Sequence, residues 1–326
     1  MNSFGREFKV SIYGGSHSEQ LGVFIDGCDA GIDLNITDFE PMLKRRKPGD
    51  FGTTTRIEQD MPEIVSGVSN GITTGARINI AFNNQDIRHE DYEFDGFFRP
   101  GHADFTTFKK YKGKKDLSGG GQASGRMTVA LVAAGVVAQK MLDNVEISSN
   151  IIEIGGQRDF DDILKIAYQK MDSLGGIIIC NVKNLPIGFG EPFFDSLESV
   201  ISHAIFSIPG IKAIEFGEGI KASKMFGSEY NDPIIDKFGK TASNNTGGIN
   251  GGISNGNDVY FRVYVRPTAS IGIEQKTYNF KREKIESFKI NGRHDVCFTL
   301  RLPPVIEAVT AFALADLKMM YRNNNL

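Results

Sequence analysis

Two histidines of this 326-residue chain follow glycine turns, an arrangement that suits acid–base chemistry. His17 ends the run 14–17, GGSH, after a predicted strand, and His102 lies in the run 99–104, RPGHAD. A lone loop histidine is more often incidental than catalytic. Two such histidines near clustered cations make proton transfer and a structural role about equally good interpretations. Asp104 would either orient the His102 imidazole or cap a turn.

The run 119–126, GGGQASGR, is a candidate anion-binding loop ahead of an apolar segment. Its glycines leave backbone N–H groups uncovered, Ser124 is the predicted N-cap, and Arg126 falls just inside the predicted helix. The run matches neither the dinucleotide-binding G-x-G-x-x-G pattern nor a Walker A motif. On form alone, a flexible glycine turn that caps a core helix is the better interpretation.

Basic residues are bunched although the chain is slightly acidic, with a net charge of -3. One group is the run 44–47, KRRK, and the other is the set of lysines between 109 and 115. Local positive patches on an acidic chain fit a small anionic ligand better than a nucleic acid. For Arg45 and Arg46 the dipole of a helix C-terminus is a sufficient explanation by itself.

The run 293–295, RHD, leaves two interpretations open: a structural ion-pair corner, or an acid–base group held beside a cation. Exposed pairs of this kind usually contribute little. From the residues alone, two classes of function remain. One is an enzyme that acts on a small, multiply anionic substrate, and the other is a phosphate- or nucleotide-binding module without turnover. A binder needs no pair of glycine-framed histidines, which favours the enzyme.

Several other classes of protein are not supported by the composition. The three cysteines, Cys28, Cys180 and Cys297, are far apart, so neither a zinc site nor a disulfide framework is predicted. The sequence has no apolar run of membrane-spanning length and no signal-peptide pattern at its start. We therefore expect a cytoplasmic protein with no metal, no nucleic acid and no membrane as partner.

Apolar periodicity and capping signals predict a mixed order of helices and strands. An Asn70-Gly71 pair between apolar runs predicts a hairpin, and the helix over 126–142 is apolar on nearly all sides, so it should be buried. Further strands are predicted at 4–13, 21–26, 145–154, 177–182, 211–216 and 258–266, and further helices from 37, at 160–171, 195–208 and 305–321. The glycine-rich run 244–256 should be an ordered loop. This order indicates one α+β domain over residues 1–326.

Short motifs spread over the whole chain resemble those of chorismate synthases. The matching runs are 2–5 (NSFG), 14–17 (GGSH), 45–49 (RRKPG), 84–86 (NQD), 91–92 (DY), 99–104 (RPGHAD), 124–126 (SGR), 172–176 (DSLGG), 186–192 (PIGFGEP), 215–217 (EFG), 244–248 (NNTGG) and 292–295 (GRHD). The chain departs from the family pattern at Ser18, Met127 and Arg266, and the loop 50–55 lacks the arginine often found there, with Gly52 nearest its place. RPGHAD and GRHD at these separations form a specific signature.

The resemblance implies a carbon–oxygen lyase of the shikimate pathway, which serves aromatic amino acid biosynthesis. Such an enzyme eliminates phosphate from 5-enolpyruvylshikimate 3-phosphate in a 1,4-anti sense to give chorismate. It is a flavoprotein that requires reduced FMN without net redox change, and NADP is associated with the family. The implied fold is a β-α-β sandwich, and the implied assembly is a cytoplasmic homotetramer. The chain is short for the family, so we expect a monofunctional enzyme that depends on a separate flavin reductase.

The resemblance also implies roles for individual residues. His17 would protonate the departing phosphate, His102 would lie by the pyrimidine edge of the flavin, and Asp295 would lie near its N5 and help to move the ring proton. The residues implied to bind the substrate are Arg45, Arg46, Arg99 and Arg126. Those implied to bind FMN are Gln122, Ala123, Ser124, Pro209, Gly210, Gly251, Arg266, Pro267, Thr268, Ala269, Ser270 and Arg293.

Overall fold

Helices and strands alternate along the chain in the computed structural model, which describes residues 2–56, 58–85, 94–114, 118–290 and 294–324. The helices are α1 (Glu40–Arg46), α2 (Asp104–Lys110), α3 (Thr128–Gln139), α4 (Asp161–Gln169), α5 (Leu197–Ile205), α6 (Gly227–Tyr230) and α7 (Pro303–Asn324). The strands are β1 (Ser3–Phe4), β2 (Lys9–Tyr13), β3 (Gln20–Asp26), β4 (Glu63–Ser66), β5 (Val68–Ser69), β6 (Ile72–Thr73), β7 (Ile78–Asn83), β8 (Glu146–Ile154), β9 (Gly176–Lys183), β10 (Ile211–Phe216), β11 (Ile249–Asn250), β12 (Ile253–Ser254), β13 (Val259–Val265), β14 (Gln275–Asn279) and β15 (Lys284–Phe288).

Two antiparallel sheets enclose a layer of helices. One sheet has the order β1-β2-β3-β7-β4 and the other has the order β10-β13-β9-β8. Helix α3 packs on β3 and β7 of the first sheet, while α7 packs on α3 and on β8 and β9 of the second. The arrangement is the expected α+β sandwich, with its main hydrophobic core between the sheets.

The contact between α3 and α7 is unusually close at Gly135. A Cβ atom built on Gly135 would lie 2.3 Å from both Cα and Cβ of Ala308. Residues 128–138 of α3 are all buried, as predicted from their apolar sequence. Glycine and alanine at this crossing let the two helix backbones approach, which positions the N-terminal ends of both helices beside each other.

The first predicted strand, 4–13, is wrong, because the chain turns back after Phe4. Gly5 has φ +91°, and the carboxylate of Asp316 accepts hydrogen bonds from the backbone N–H groups of residues 6, 7 and 8. Two strands result, β1 and β2, which pair with each other antiparallel. Period-two alternation begins only at Phe8, and Phe4 falls in the same phase, so the predicted strand was extended across the turn.

The helix predicted to begin with a capping box at residues 37–40 begins differently. Asn35 and Asp38 form the box, and a 3-10 turn over Ile36–Phe39 precedes α1. The Asn70-Gly71 hairpin is confirmed, with φ values of 52° and 76° that suit a two-residue turn between β5 and β6. The run 244–256 is ordered, since β11 and β12 pair within it.

Candidate active site

Two adjoining cavities lie at the N-terminal ends of α3 and α7. We call the first the arginine cavity: it has about 730 Å³ of space including its open mouth, and its described lining is Arg46, Pro48, Thr54, Arg56, Glu58, Arg99, Ser124, Gly125, Arg126, Thr268, His294, Asp295 and Arg301. We call the second the backbone cavity: it has about 590 Å³, and its described lining is His102, Ala123, Ser124, Gly125, Pro209, Gly210, Arg266, Pro267, Thr268, Ala269, Ser270, Asp295 and Phe298. The shared lining makes them one composite site.

Asp60 organises the deepest part of the arginine cavity. Its fully buried carboxylate accepts a hydrogen bond from Arg46 Nη2 at 2.7 Å and another from Arg126 Nη1. Burial opposes ionisation of Asp60, but the two guanidinium groups outweigh it and lower its pKa. The carboxylate therefore stays charged and fixes two arginines, one from the end of α1 and one from the turn before α3.

The same two arginines retain unused hydrogen-bond donors. Arg46 Nε and Arg126 Nη2 are buried and have no hydrogen-bond partner among the described residues. A buried N–H group without an acceptor is unfavourable by about 1–3 kcal/mol. Donors of this kind, beside an open cavity, indicate an anionic ligand that completes the set.

Arg99, His102 and Asp104 form a second charged cluster at the border of the two cavities. The Arg99 guanidinium donates to Asp104 through Nε at 2.7 Å and Nη2 at 2.8 Å, and Nη1 lies 3.3 Å from Ser270 Oγ. His102 Nδ1 is 2.5 Å from Asp104 Oδ1. Because a carboxylate only accepts, Nδ1 of the imidazole carries a proton toward Asp104, and Arg99 Nη2 lies 3.1 Å from the same nitrogen. Asp104 thus orients His102.

Gly120 makes room for this imidazole. A Cβ atom on Gly120 would lie 3.0 Å from His102 Cε1 and 3.2 Å from Nε2, and its φ of +91° also favours glycine. The glycine run before α3 is a 3-10 turn over Ser118–Ala123 rather than an irregular loop. Ser124 caps the next turn as predicted, since its Oγ accepts the Arg126 N–H.

Asp295 faces both cavities and is held from two sides. The Thr54 backbone N–H donates to its Oδ1 at 2.9 Å, and Arg301 Nη1 lies 3.2 Å from both carboxylate oxygens. Arg301 Nε also donates to the Arg46 carbonyl at 3.2 Å. The loop 49–56 therefore forms a wall of the site, and Arg301 connects Asp295 to the end of α1.

His17 lies in a buried turn beside the glycine run. Its Nδ1 is 2.8 Å from Ser16 Oγ, and the Ser16 N–H donates to the Gly121 carbonyl at 3.3 Å. Arg56 Nη2 donates to the Ser16 carbonyl at 3.1 Å and to Glu58 at 2.6 Å. His17 is described but does not belong to the lining of either cavity; Arg56, which does, lies between its turn and the arginine cavity.

The backbone cavity gathers most of the residues expected around a flavin. The Arg266 N–H donates to the Gly210 carbonyl at 2.9 Å, which joins the turn at 209–210 to the segment 266–270 after β13. Ser173 Oγ donates to the Thr268 carbonyl at 2.7 Å. Thr268 Oγ1 is buried without a hydrogen-bond partner among the described residues. Glycine, proline, small side chains and this free hydroxyl leave room and polar contact for a flat ligand.

Other expected site residues lie elsewhere. The half-exposed Arg45 guanidinium makes a bidentate pair with Glu307 at 2.6 and 2.8 Å, so the structure does not bring Arg45 to the cavity. Gln122 and Gly251, both described, do not belong to the lining of the two cavities, and Gly251 forms the turn between β11 and β12. Arg293 lies outside the described residues. Met127, where the family pattern has an acid, is buried in the main core.

Sequence analysis missed four charged residues of the site: Arg56, Glu58, Asp60 and Arg301. The family pattern often has an arginine in the loop 50–55, where this chain has none. Arg56 is one residue beyond that loop and lines the arginine cavity. No sequence pattern marks Asp60. Its unusual feature is structural: a φ of +49°, which is uncommon for a residue other than glycine. Arg301 follows Asp295 by six residues, and no spacing rule connects them. Tertiary contacts alone reveal these partners.

The geometry suits elimination chemistry on a small anion. Among the described residues, five arginines line one cavity, with Glu58, Asp60, Asp104 and Asp295 as their nearby carboxylates. Such a site binds carboxylates and phosphate and stabilises negative charge on a leaving group. Asp295 and His102 line the site and can exchange protons, while His17 lies in the adjacent turn. The described residues contain no cluster of three metal-ligating side chains and no helix long and apolar enough to cross a membrane.

Comparisons with known proteins agree on one family. The family model for chorismate synthase matches residues 8–319. A chorismate synthase of Chitinophaga pinensis is 53% identical over 327 residues, with 100% of this chain and 98% of that protein covered. The chorismate synthase of Saccharomyces cerevisiae is 39% identical, with 97% and 96% covered. A crystal structure of a chorismate synthase matches with a TM-score of 0.75 and 26% identity, over 97% of this chain and 93% of that one.

Proposed function

The chain belongs to the chorismate synthase family, and on this premise we propose that its arginine cavity binds 5-enolpyruvylshikimate 3-phosphate and eliminates phosphate from it. The protein is a carbon–oxygen lyase of the shikimate pathway. In the reaction the bond from a ring carbon to the phosphate oxygen breaks, a ring C–H bond breaks, and a new ring double bond forms. The products are chorismate and phosphate, so the balance requires no net oxidant or reductant.

The observation that carries the proposal is the set of guanidinium groups around one cavity. The substrate has two carboxylates and a phosphate, and Arg46, Arg99 and Arg126 offer donors suited to them. Arg46 Nε and Arg126 Nη2, which have no acceptor among the described residues, would gain one from such an anion. Fixed cations also stabilise charge on the departing phosphate without reorganisation during the reaction. Arg45 is bonded to Glu307, so it would not touch the substrate. It would instead help to hold the end of α1, and with it Arg46, in place.

Two different side chains would transfer the two protons of the reaction, the one given to the phosphate and the one removed from the ring. His17 would give a proton to the phosphate as it departs, because its turn lies beside Arg56, which reaches the same cavity. Asp295, held by Thr54 and Arg301 between the cavities, would help to move the ring proton. His102 Nδ1 is bonded to Asp104, so Nε2 would be the ring nitrogen that bonds a ligand in the backbone cavity.

The backbone cavity fits FMN, because the expected residues converge there and Thr268 Oγ1 lacks a partner within the described chain. Ala123, Ser124, Pro209, Gly210 and the segment 266–270 would hold the flavin beside Asp295. When bound there in its reduced form, FMN would supply electron density to the substrate. The chain's own contribution is to place the flavin next to the arginine cavity and to exclude water there.

A cytoplasmic homotetramer, with FMN reduced by a separate flavin reductase that draws on NADP, completes the proposal. Several large apolar side chains are exposed on this chain, among them Phe193, Phe194 and Phe226, which supports burial by other copies. Gly251 lies outside both cavities of its own chain, so a contact between Gly251 and FMN would have to involve the flavin of another copy.

An anaerobic assay tests the function. Protein, 5-enolpyruvylshikimate 3-phosphate and chemically reduced FMN are mixed, and chorismate is followed by its absorbance. We expect turnover, and we expect His17→Ala to lower the rate by roughly two to four orders of magnitude. The rival function, a phosphate- or flavin-binding module, predicts binding of FMN and substrate with no chorismate. Folded protein that binds both and forms no product would establish that rival.

A further inference from the structure

Asn84 follows β7 and touches two parts of the proposed active site at once. Its Nδ2 group donates to the Ser18 carbonyl at 2.6 Å and to the Gly15 carbonyl at 3.2 Å. Its Oδ1 accepts from Arg126 Nε at 2.9 Å. The two carbonyls flank Ser16 and His17, so one amide spans from the histidine turn to an arginine of the anion site.

Only an amide in this orientation satisfies all three contacts. Arg126 Nε can only donate and the two carbonyls can only accept, so the partner must present one acceptor and two donors. Aspartate would keep the bond to Arg126 but would set a carboxylate against two carbonyl oxygens. Leucine, of similar shape, would lose all three contacts. The hydrogen-bond network, rather than the room available for the side chain, therefore requires asparagine at position 84.

Two further hydrogen bonds of the histidine turn end at groups other than Arg126. The Ser16 N–H donates to Gly121, and the Ser16 carbonyl accepts from Arg56, which is paired with Glu58. The Arg126 guanidinium is held by Asp60 and by Asn84. Asn84 thus bonds directly both to the turn and to this guanidinium.

We propose that Asn84 is a positioning residue that sets His17 relative to Arg126, so that the imidazole meets a phosphate held by that arginine. This inference rests on the proposed role of His17 as the proton donor. Proton transfer needs heavy-atom distances near 3 Å, and a displacement of about 1 Å can lower a rate by about a hundredfold. An amide that holds both partners limits such displacement.

The test measures single-turnover rates anaerobically, with enzyme in excess over 5-enolpyruvylshikimate 3-phosphate and with reduced FMN. Asn84→Asp and Asn84→Leu should each lower the rate about tenfold to a hundredfold. Asn83→Asp is the matched control: Asn83 is exposed, neighbours Asn84 and bonds to Gln20 rather than to the site, so its rate should stay within about twofold. If Asn84→Leu folds poorly, Asn84→Asp carries the comparison.

A double-mutant cycle separates positioning from a general structural role. If Asn84 acts through His17, the variant with both His17→Ala and Asn84→Asp should be no slower than His17→Ala alone. Multiplied losses would show that Asn84 acts elsewhere and would overturn the inference. An unchanged His17→Ala rate would overturn the role of His17 and the inference with it. A slow His17→Ala variant beside fast Asn84 variants would overturn the inference alone.

Discussion

At the scale of single residues, the site depends on carboxylates that hold cations before any ligand arrives. Asp60 lies between Arg46 and Arg126, and Asp104 lies between Arg99 and His102. In both cases burial alone would favour the neutral acid, but the neighbouring arginines, and for Asp104 also the hydrogen bond from His102, lower the pKa of the carboxyl group. The anions that the site receives therefore meet guanidinium groups that are already oriented.

Replacement of Asp60 should reveal this dependence as a loss of stability. Asp60→Asn leaves two buried guanidinium groups without their shared anion, which should lower the free energy of unfolding by about 3–5 kcal/mol at pH 7. Because the folded pKa of Asp60 is lowered, its contribution is fully present above its unfolded pKa, about 3.9, and is lost progressively as pH falls from there through the folded pKa. Urea unfolding at pH 7 and at pH 3.5, at fixed protein concentration, measures both effects.

The control for that experiment is Asp162→Asn, since Asp162 is exposed and pairs only with Lys165 among the described residues. Its unfolding free energy should stay within about 0.5 kcal/mol of wild type. The difference between Asp60→Asn and wild type should shrink toward pH 3.5. A difference of the same size at both pH values would contradict the argument that ionised Asp60 is what matters.

The sequence predicted that arginines would lie in the site, but it did not predict which of two adjacent arginines would face the cavity. Arg45 and Arg46 are adjacent, and both were expected at the substrate. On a helix, successive side chains point about 100° apart, so only one of them can face the cavity. Arg46 does so with 2% of its side chain exposed, while Arg45 turns to Glu307. The choice depends on how α1 docks, which no local pattern contains.

At the scale of elements, the crossing of α3 and α7 sets where the helix ends lie, and through them where Arg126 and Arg301 lie. Gly→Ala in a helix interior normally stabilises by about 1 kcal/mol. At Gly135 the added methyl would overlap the Ala308 backbone, so we expect Gly135→Ala to destabilise by about 1–3 kcal/mol or more. Chorismate formation should fall as well, because the two helix ends separate.

Gly227→Ala is the matched control, because a Cβ atom on Gly227 meets nothing within 4 Å. It should leave thermal unfolding and activity near wild type. If Gly135→Ala unfolds at the wild-type temperature, the helices can separate freely at that point, and the close crossing does not fix the site.

Most helices and strands were predicted from local sequence patterns, and the exceptions have physical causes. The strand at 21–26 and the terminal helix were predicted correctly because their buried residues give a clear apolar pattern. Helix α2, over Asp104–Lys110, carries lysines and exposed aromatics and showed no apolar stripe, so no helix was predicted there. The turn at Gly5 was missed because its cap, Asp316, is about 310 residues away in the chain.

At the scale of the whole molecule, the distribution of exposed apolar side chains differs from that of an isolated domain. Phe193 and Phe194 are 87% and 92% exposed, and Phe226 and Phe238 are also largely exposed. Phe193 has φ +67°, a conformation that is unfavourable by about 1–3 kcal/mol for a bulky side chain unless surrounding contacts support it. Within its own chain the exposed ring gains little in return, which favours a partner surface at this segment.

The proposed homotetramer can be tested at this segment. Light scattering after size exclusion should give about four times 35.9 kDa for the wild-type chain. Replacing both aromatic rings, Phe193→Ser with Phe194→Ser, should shift the protein to smaller species, because apolar area at an interface contributes about 25 cal/mol per Å². Ile166→Ser, on the outward face of α4, is the control and should keep the wild-type mass. A double variant that remains tetrameric would place the interface elsewhere, and a monomeric wild-type chain that forms chorismate would show that assembly is not required for the reaction.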